Sequence, residues 1–220
     1  MKKGNKTKKA YIDAASQLIG QDCIDQGSIR KIAEMTGFSV GNLYRHFGSF
    51  DELILYATVL RFQEYFFSAE KMSHEEVIRE DPVKAFMAYE ALFAENSFSD
   101  PKLMHNLYFG SASKDTPRII QECLALYYPD TEDAMPTLDA MRDHCELEER
   151  YADMLQLYFG KCGRFSQERL RMLSTCIFYL YRGFLQEAVQ DREYAEHAGM
   201  RKEKYLSCVR MLLERFINEN

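Results

Sequence analysis

The chain has 220 residues, 46% of them hydrophobic and 28% charged, with a formal net charge of −6. This is a globular composition, and no window approaches the roughly 18 consecutive apolar residues of a membrane span, so neither a membrane-embedded protein nor a membrane partner is expected. The charge is uneven: residues 1–50 hold eight Lys/Arg against four Asp/Glu, whereas residues 51–220 hold 20 against 30, as expected when only one end of a chain meets phosphate.

Helical periodicity runs through almost the whole chain and no strand alternation is sustained, which predicts an all-α fold. Tyr11, Ala14, Ala15, Leu18 and Ile19 form one face of a first helix, with Lys8 and Lys9 at its entrance. Gly20 and Gly27 bracket its exit. Ser28 is expected to cap a short second helix with Ile29, Ile32 and Ala33 inward, and Gly37 supplies a tight turn. Ser39 then caps a third helix with Val40, Leu43 and Phe47 inward.

Ser49 and Glu52 have the spacing of a capping box, opening a fourth helix expected to run unbroken to about Lys71. Asp81-Pro82, Asp100-Pro101 and Thr116-Pro117 each place Pro at a first helical position behind a capping residue. They predict helices over 82–98, 101–112 and 117–127. A loop at 128–132, a long helix over 134–160 broken by Gly160 and Gly163, and two strong helices over 167–192 and 200–218 complete the reading. The six cysteines, 23, 123, 145, 162, 176 and 208, form no Cys-x-x-Cys pair and read as reduced, buried thiols of a cytoplasmic protein. The Lys-rich N-terminus lacks the apolar run of a signal peptide.

The segment 28–47 has the pattern of two short helices around a sharp turn, the geometry of a helix-turn-helix DNA reader. In such a unit the second helix enters the major groove. Ser39, Val40 and Gly41 then sit at its front, and small residues there let the backbone approach DNA. Asn42 offers the donor and acceptor that adenine readout requires. Tyr44, Arg45 and His46 cluster at its far end, within reach of phosphates. Ser28 and Ser49 lie at helix N-termini, where free N–H groups favour phosphate. Lys6, Lys8 and Lys9 are expected to form a flexible arm along the DNA backbone.

Ser-Ile-Arg-Lys-Ile-Ala-Glu-Met-Thr-Gly-Phe-Ser-Val-Gly-Asn-Leu-Tyr-Arg-His-Phe-Gly-Ser-Phe-Asp-Glu-Leu-Ile, residues 28–54, closely resembles the signature of TetR-like transcriptional regulators. The match spans about residues 8–60. Phe50 stands where the family usually has Lys. The resemblance implies an N-terminal helix-turn-helix domain over 1–50, with helix four at 49–71 as connector, and a helical regulatory and dimerisation domain over 51–220. It further implies a homodimeric regulator, by the family's usual mode a repressor, bound to a palindromic operator on double-stranded DNA.

Under this resemblance the last two helices pair with those of a second copy. Met172, Cys176, Tyr179, Gly183, Tyr205, Val209 and Leu212 are the interface residues it suggests. The body is expected to sense an unknown small-molecule effector, with Phe86, Phe93, His105, Tyr108, Phe109, Tyr127, Met154, Tyr158 and Phe178 around the cavity. So aromatic a wall suits a flat or lipophilic ligand. Control by a protein partner, or no ligand at all, is the competing reading.

An enzyme is the rival from another class. The sequence contains no Gly-rich phosphate loop and no Gly-x-Ser-x-Gly elbow, and Ile78 interrupts the His-Glu-x-x-His pattern begun by His74. The five histidines are dispersed, and His144-Cys145-Glu146 occupies adjacent helical positions that point in different directions. No cofactor, metal site or catalytic residue is assigned.

Overall fold

The computed structural model describes residues 3–19, 27–72, 81–129, 146–160 and 165–218. Among them every regular element is helical: α1 (Lys3–Ile19), α2 (Ser28–Thr36), α3 (Val40–Leu43), α4 (Phe50–Arg61), α5 (Gln63–Met72), α6 (Pro82–Ser99), α7 (Pro101–Phe109), a 3-10 turn (Ser113–Asp115), α8 (Thr116–Tyr127), α9 (Leu147–Phe159), α10 (Gln167–Gln190) and α11 (Tyr194–Asn218). The predicted turn at Gly20, His74, His144, three cysteines (23, 145, 162), Gly163 and the first part of the helix expected over 134–160 lie outside the described residues.

Helices α1–α3, called the head below, lead through α4 to the later helices, called the body. The apolar face predicted for the first helix is buried: Tyr11, Ala15 and Leu18 are almost fully enclosed against α2 and α4. Gly37 ends α2 at φ +71°, a left-handed conformation that any side chain would strain. The Ser39 hydroxyl accepts from the Asn42 N–H at 3.1 Å. Ser49 accepts from the Glu52 N–H at 3.0 Å while the Glu52 carboxylate accepts from the Gly48 N–H at 2.6 Å. That reciprocal pair fixes where α4 begins.

Ser28 does not cap α2. It is the first helical residue, is buried, and follows Gly27, which offers no side-chain bond. The single helix expected from Ser49 to Lys71 is two. Phe62 departs from helical geometry at φ −95°, ψ 17°. The physical reason lies in the partners: α4 packs against α1 and α8, whereas α5 turns to pack against α6. Of the Pro-marked starts, only Asp81 caps with its side chain. The Asp100 carboxylate instead pairs with Arg61 at 3.3 Å, and the Thr116 hydroxyl donates to the Leu107 carbonyl at 2.6 Å.

The body core is a stack of rings between α6, α9, α10 and α11. Phe93 lies 4.6 Å from Tyr181 between ring centres and 6.1 Å from Tyr151, and Phe98 stands edge-on to Tyr205 at 5.8 Å. The last helix begins at Tyr194, six residues before the predicted start. Its corner is held by Asp191, which accepts from Arg201 at 2.7 Å and contacts His197 Nδ1 at 2.7 Å. Among the described cysteines Cys123 is buried, whereas Cys176 is exposed, against the expectation of buried thiols, because it faces away from the body on α10. No helix among the described residues is long and apolar enough to cross a membrane.

Candidate nucleic-acid interface and its link to the body

The recognition segment is short, and its placement depends on α1. Leu43 and Phe47 are buried and anchor α3 from below. Tyr11, fully enclosed, donates its hydroxyl to the Ser39 carbonyl at 2.8 Å. Its ring packs against Phe38, His46 and Phe47 at 5.7–6.3 Å. Burial raises the Tyr11 hydroxyl above its ordinary pKa, against an opposing hydrogen bond with Asn42, so it is a fixed donor at neutral pH. One buried side chain thus sets the start of the helix that presents Ser39, Gly41, Asn42, Tyr44 and Arg45.

Ser39 caps α3, Gly41 and Asn42 lie within it, and Tyr44 and Arg45 follow it in a turn. Ser39, Gly41, Tyr44, Arg45 and Ser49 are exposed; Val40, Asn42 and His46 are half-buried. Tyr44 is 51% exposed. A Cβ at Gly41 would meet nothing nearer than the Ser39 hydroxyl at 3.9 Å, so the surface in front of α3 is open. Phe38, 39% exposed, and Met35, 42% exposed, extend this face with apolar surface that the sequence reading did not assign. Both follow the last inward position of α2, Ala33, which is the signal that marks them as outward. Phe50 is half-buried at the first position of α4 and packs its ring against the core.

The lysine arm requires correction. Lys6 is exposed, but Lys8 and Lys9 lie within α1 and turn toward the body. The Lys8 ammonium donates to the Tyr56 hydroxyl at 2.7 Å and to Glu122 at 3.0 Å, 4.0 Å from the Tyr56 ring centre. Lys9 lies 4.3 Å from the Tyr127 ring centre. A buried aromatic and a carboxylate outcompete water for these cations.

Lys8 opens a continuous polar seam between head and body. Glu122 on α8 accepts from Lys8, from the Tyr56 hydroxyl and from Arg118, and Arg118 reaches across to Glu52 at 2.9 Å. Asp51 accepts from Ser111 at 2.6 Å, and the Tyr127 hydroxyl donates to Asp13 at 2.6 Å. Partial burial would push Glu122 up, but the bonds from Tyr56, Arg118 and Lys8 outweigh it and hold the carboxyl down at about 2. Tyr56, by burial and then by its bond to Glu122, keeps its proton far into alkaline pH. Burial likewise pushes the Cys123 thiol beside this seam up to about 12, leaving it inert.

The residues predicted to surround one body cavity divide into three places. Phe93, Tyr108 and Met154 do converge, with Tyr89, Tyr151 and Arg150, on a cavity of about 20 Å³, room for a single water. Phe86 and Tyr158 are packed solidly into the neighbouring core, 5.6 Å apart. His105, Phe109 and Phe178 form a separate cluster between α7 and α10, with Arg182 5.4 Å from the Phe109 ring. Tyr127 belongs to the seam, because its hydroxyl finds Asp13 there.

The expected dimer residues also divide. Met172, Cys176, Tyr179 and Gly183 follow one stripe of α10, all exposed, with Met172 and Tyr179 each 58% exposed. Tyr205 and Val209 are fully buried against their own body and cannot meet a partner. α11 packs broadly against α6, which claims that face. Met200 and Met211, 67% and 64% exposed, are the apolar residues that α11 turns outward, with Leu212 half-buried beside them.

Glu90 was not singled out by its pattern, yet it is one of the few charged groups buried among the described residues. It is fully buried in the middle of α6, and burial pushes its carboxyl up to about 7 against a hydrogen bond from Tyr205. Its position four residues after Phe86 and three before Phe93, both inward, is the signal that places it in the core.

Residues 12–57 match the family model described as bacterial regulatory proteins, tetR family. No curated protein and no solved structure matches the chain.

Proposed function

We propose, from the match of residues 12–57 to the tetR family of bacterial regulatory proteins, that the chain is a helix-turn-helix transcriptional regulator, and specifically a homodimeric, effector-released repressor of a palindromic operator. The observation that carries the DNA reading is the outward face of α3. A recognition helix held from behind by Tyr11 presents Ser39, Gly41, Asn42, Tyr44 and Arg45 to an open surface. Asn42 reads a base edge, and Tyr44, Arg45, His46, Ser49 and Lys6 meet phosphates. Lys8, Lys9 and Ser28 are left out of this interface, since their surroundings are internal.

Dimerisation is supported by the exposed stripe Met172, Cys176, Tyr179 and Gly183 on α10, beside Met200 and Met211 on α11. Exposed apolar side chains of this size on two neighbouring helices mark an association surface. Two heads then meet successive major grooves about 34–36 Å apart. Effector response is supported by the seam around Glu122. It gives α8, a body helix, direct purchase on both α1 and α4. The domain division at about residue 50 and a cytoplasmic location are part of the same proposal.

Selection of bound duplexes from a random pool tests it. The expected product is a two-fold symmetric motif with half-sites one helical turn, or a multiple, apart. Asn42→Ala should recover a motif altered at one position in each half. Enrichment without symmetry contradicts the dimer, and no enrichment contradicts DNA recognition itself.

A further inference from the structure

The head holds a buried hydroxyl whose hydrogen bonds fix more than the packing of α1. Tyr11 has no exposed surface, and its ring already fills the space against Phe38, His46 and Phe47. A phenylalanine would fill that space equally, and a buried hydroxyl is costly unless it is bonded. The single hydroxyl proton is donated to the Ser39 carbonyl at 2.8 Å. That carbonyl also accepts the Asn42 N–H at 3.0 Å and the Leu43 N–H at 3.2 Å, so it belongs to the first turn of α3. The Tyr11 oxygen has a second partner, the Asn42 side chain. With its proton committed to Ser39, this oxygen can only accept, and the only donor on an asparagine side chain is Nδ2. The amide nitrogen of Asn42 is therefore turned back toward α1.

A carboxamide has two orientations, related by a half-turn, that present opposite edges. Nitrogen outward offers donors, which suit guanine and the O4 of thymine, whereas oxygen outward offers an acceptor, which suits the amino groups of adenine and cytosine. We propose that Tyr11 is a positioning residue that determines base specificity: it holds Asn42 with Oδ1 toward the DNA and the second N–H beside it, the acceptor and donor that match N6 and N7 of adenine. Without the Tyr11 hydroxyl the carboxamide is free to turn over, and the same asparagine accepts either kind of base edge. The open surface at Gly41, next along α3, leaves room for a base edge to approach. Tyr11 touches no base and acts only through Asn42. The proposal rests on the reading of α3 as the recognition helix and names how one base pair is chosen.

The test uses the full-length protein. Bound duplexes are selected from a random pool by the parent, by Tyr11→Phe, by Asn42→Ala and by the double variant. The position that Asn42→Ala alters in each half-site should be an A·T pair in the parent motif. Tyr11→Phe should lower the preference for that pair about tenfold, admitting G·C, while the other positions and the affinity for unrelated duplex change by less than about twofold. The double variant should match Asn42→Ala, because the two residues act as one unit. A further measurement needs no protein variant. Purine in place of the adenine of that pair, which removes only the N6 amino group, should weaken binding by the parent about tenfold and leave Asn42→Ala unaffected. That readout stands even if Tyr11→Phe fails to fold.

A motif that Tyr11→Phe leaves intact, or a loss spread evenly over every position, overturns the proposal, because the hydroxyl then serves only the fold. A G·C pair at the Asn42 position overturns it too, as does undiminished binding of the purine duplex by the parent. The DNA reading fails separately. A parent that selects no motif contradicts DNA recognition itself, and this proposal with it. A motif that Asn42→Ala changes and Tyr11→Phe does not leaves recognition by α3 standing and removes Tyr11 from it.

Discussion

Two residues concentrate the chemistry. Tyr11 sits behind the recognition helix and Glu90 inside the body, and each is a polar group buried where apolar side chains would pack as well. For Glu90 this gives a testable pH signature. Its folded-state pKa, pushed up to about 7 by burial, exceeds the ordinary carboxyl value of 4.5. Between those values the folded state holds more protons than the unfolded state, so this group's contribution to stability falls as pH rises from about 4.5 through 7. Glu90→Gln removes the dependence. Denaturant unfolding should show the variant more stable than the parent at pH 8, by about 3 kcal/mol, and the two equal near pH 4.5. A difference independent of pH contradicts the assignment. At the reading face, Asn42→Ala should change base preference at one position by about 1–3 kcal/mol. Tyr44→Ala should weaken binding to all duplexes by similar factors, measured by anisotropy on matched and mismatched sites.

α8 is the element that joins body to head. Glu122 and Tyr127 hold α1, while Glu122 and Arg118 hold α4. The sign of its pH dependence opposes that of Glu90. The Glu122 carboxyl, held at about 2, contributes stability above its ordinary pKa near 4.5 and loses it as pH falls toward 2. Hydrogen exchange should therefore show α1 and the start of α4 loosening between about pH 4.5 and 2, before α10 and α11 do. Glu122→Gln with Tyr127→Phe should bring that loosening to neutral pH and uncouple DNA affinity from effector. Exchange unchanged in the double variant would mean that α8 carries no linkage. None of this was legible in the sequence. The caps at Ser39, Ser49 and Asp81 were, because a cap is written in residues three apart. Lys8 and Glu122 are 114 positions apart, and local pattern gives only that Lys8 is basic, so it read as an arm for phosphate. The bend at Phe62 was hidden for the same reason: it reflects different packing partners for α4 and α5, not a helix-breaking residue.

In the whole molecule, the fold class and the reading head follow from periodicity and turn chemistry, whereas the assignment of faces on long helices does not. Tyr205 and Val209 belong to an apolar stripe of α11 that looks the same from sequence whether it meets its own body or a second copy. Only the packing against α6 decides it. The surface that remains, around Met172, Tyr179, Met200 and Met211, predicts its own test. Tyr179→Asp should convert a dimer into monomers in sedimentation and lower operator affinity at least tenfold while leaving helix content unchanged; a dimer that survives contradicts that placement. Whether α3 reads DNA in a two-headed molecule is decided by titrating the selected operator with intact protein and with a Tyr44→Ala/Arg45→Ala variant at fixed salt. Two chains per duplex are expected, with a loss of at least 100-fold in the variant while its fold is retained. Undiminished binding by the variant, or one chain per duplex, would contradict that reading.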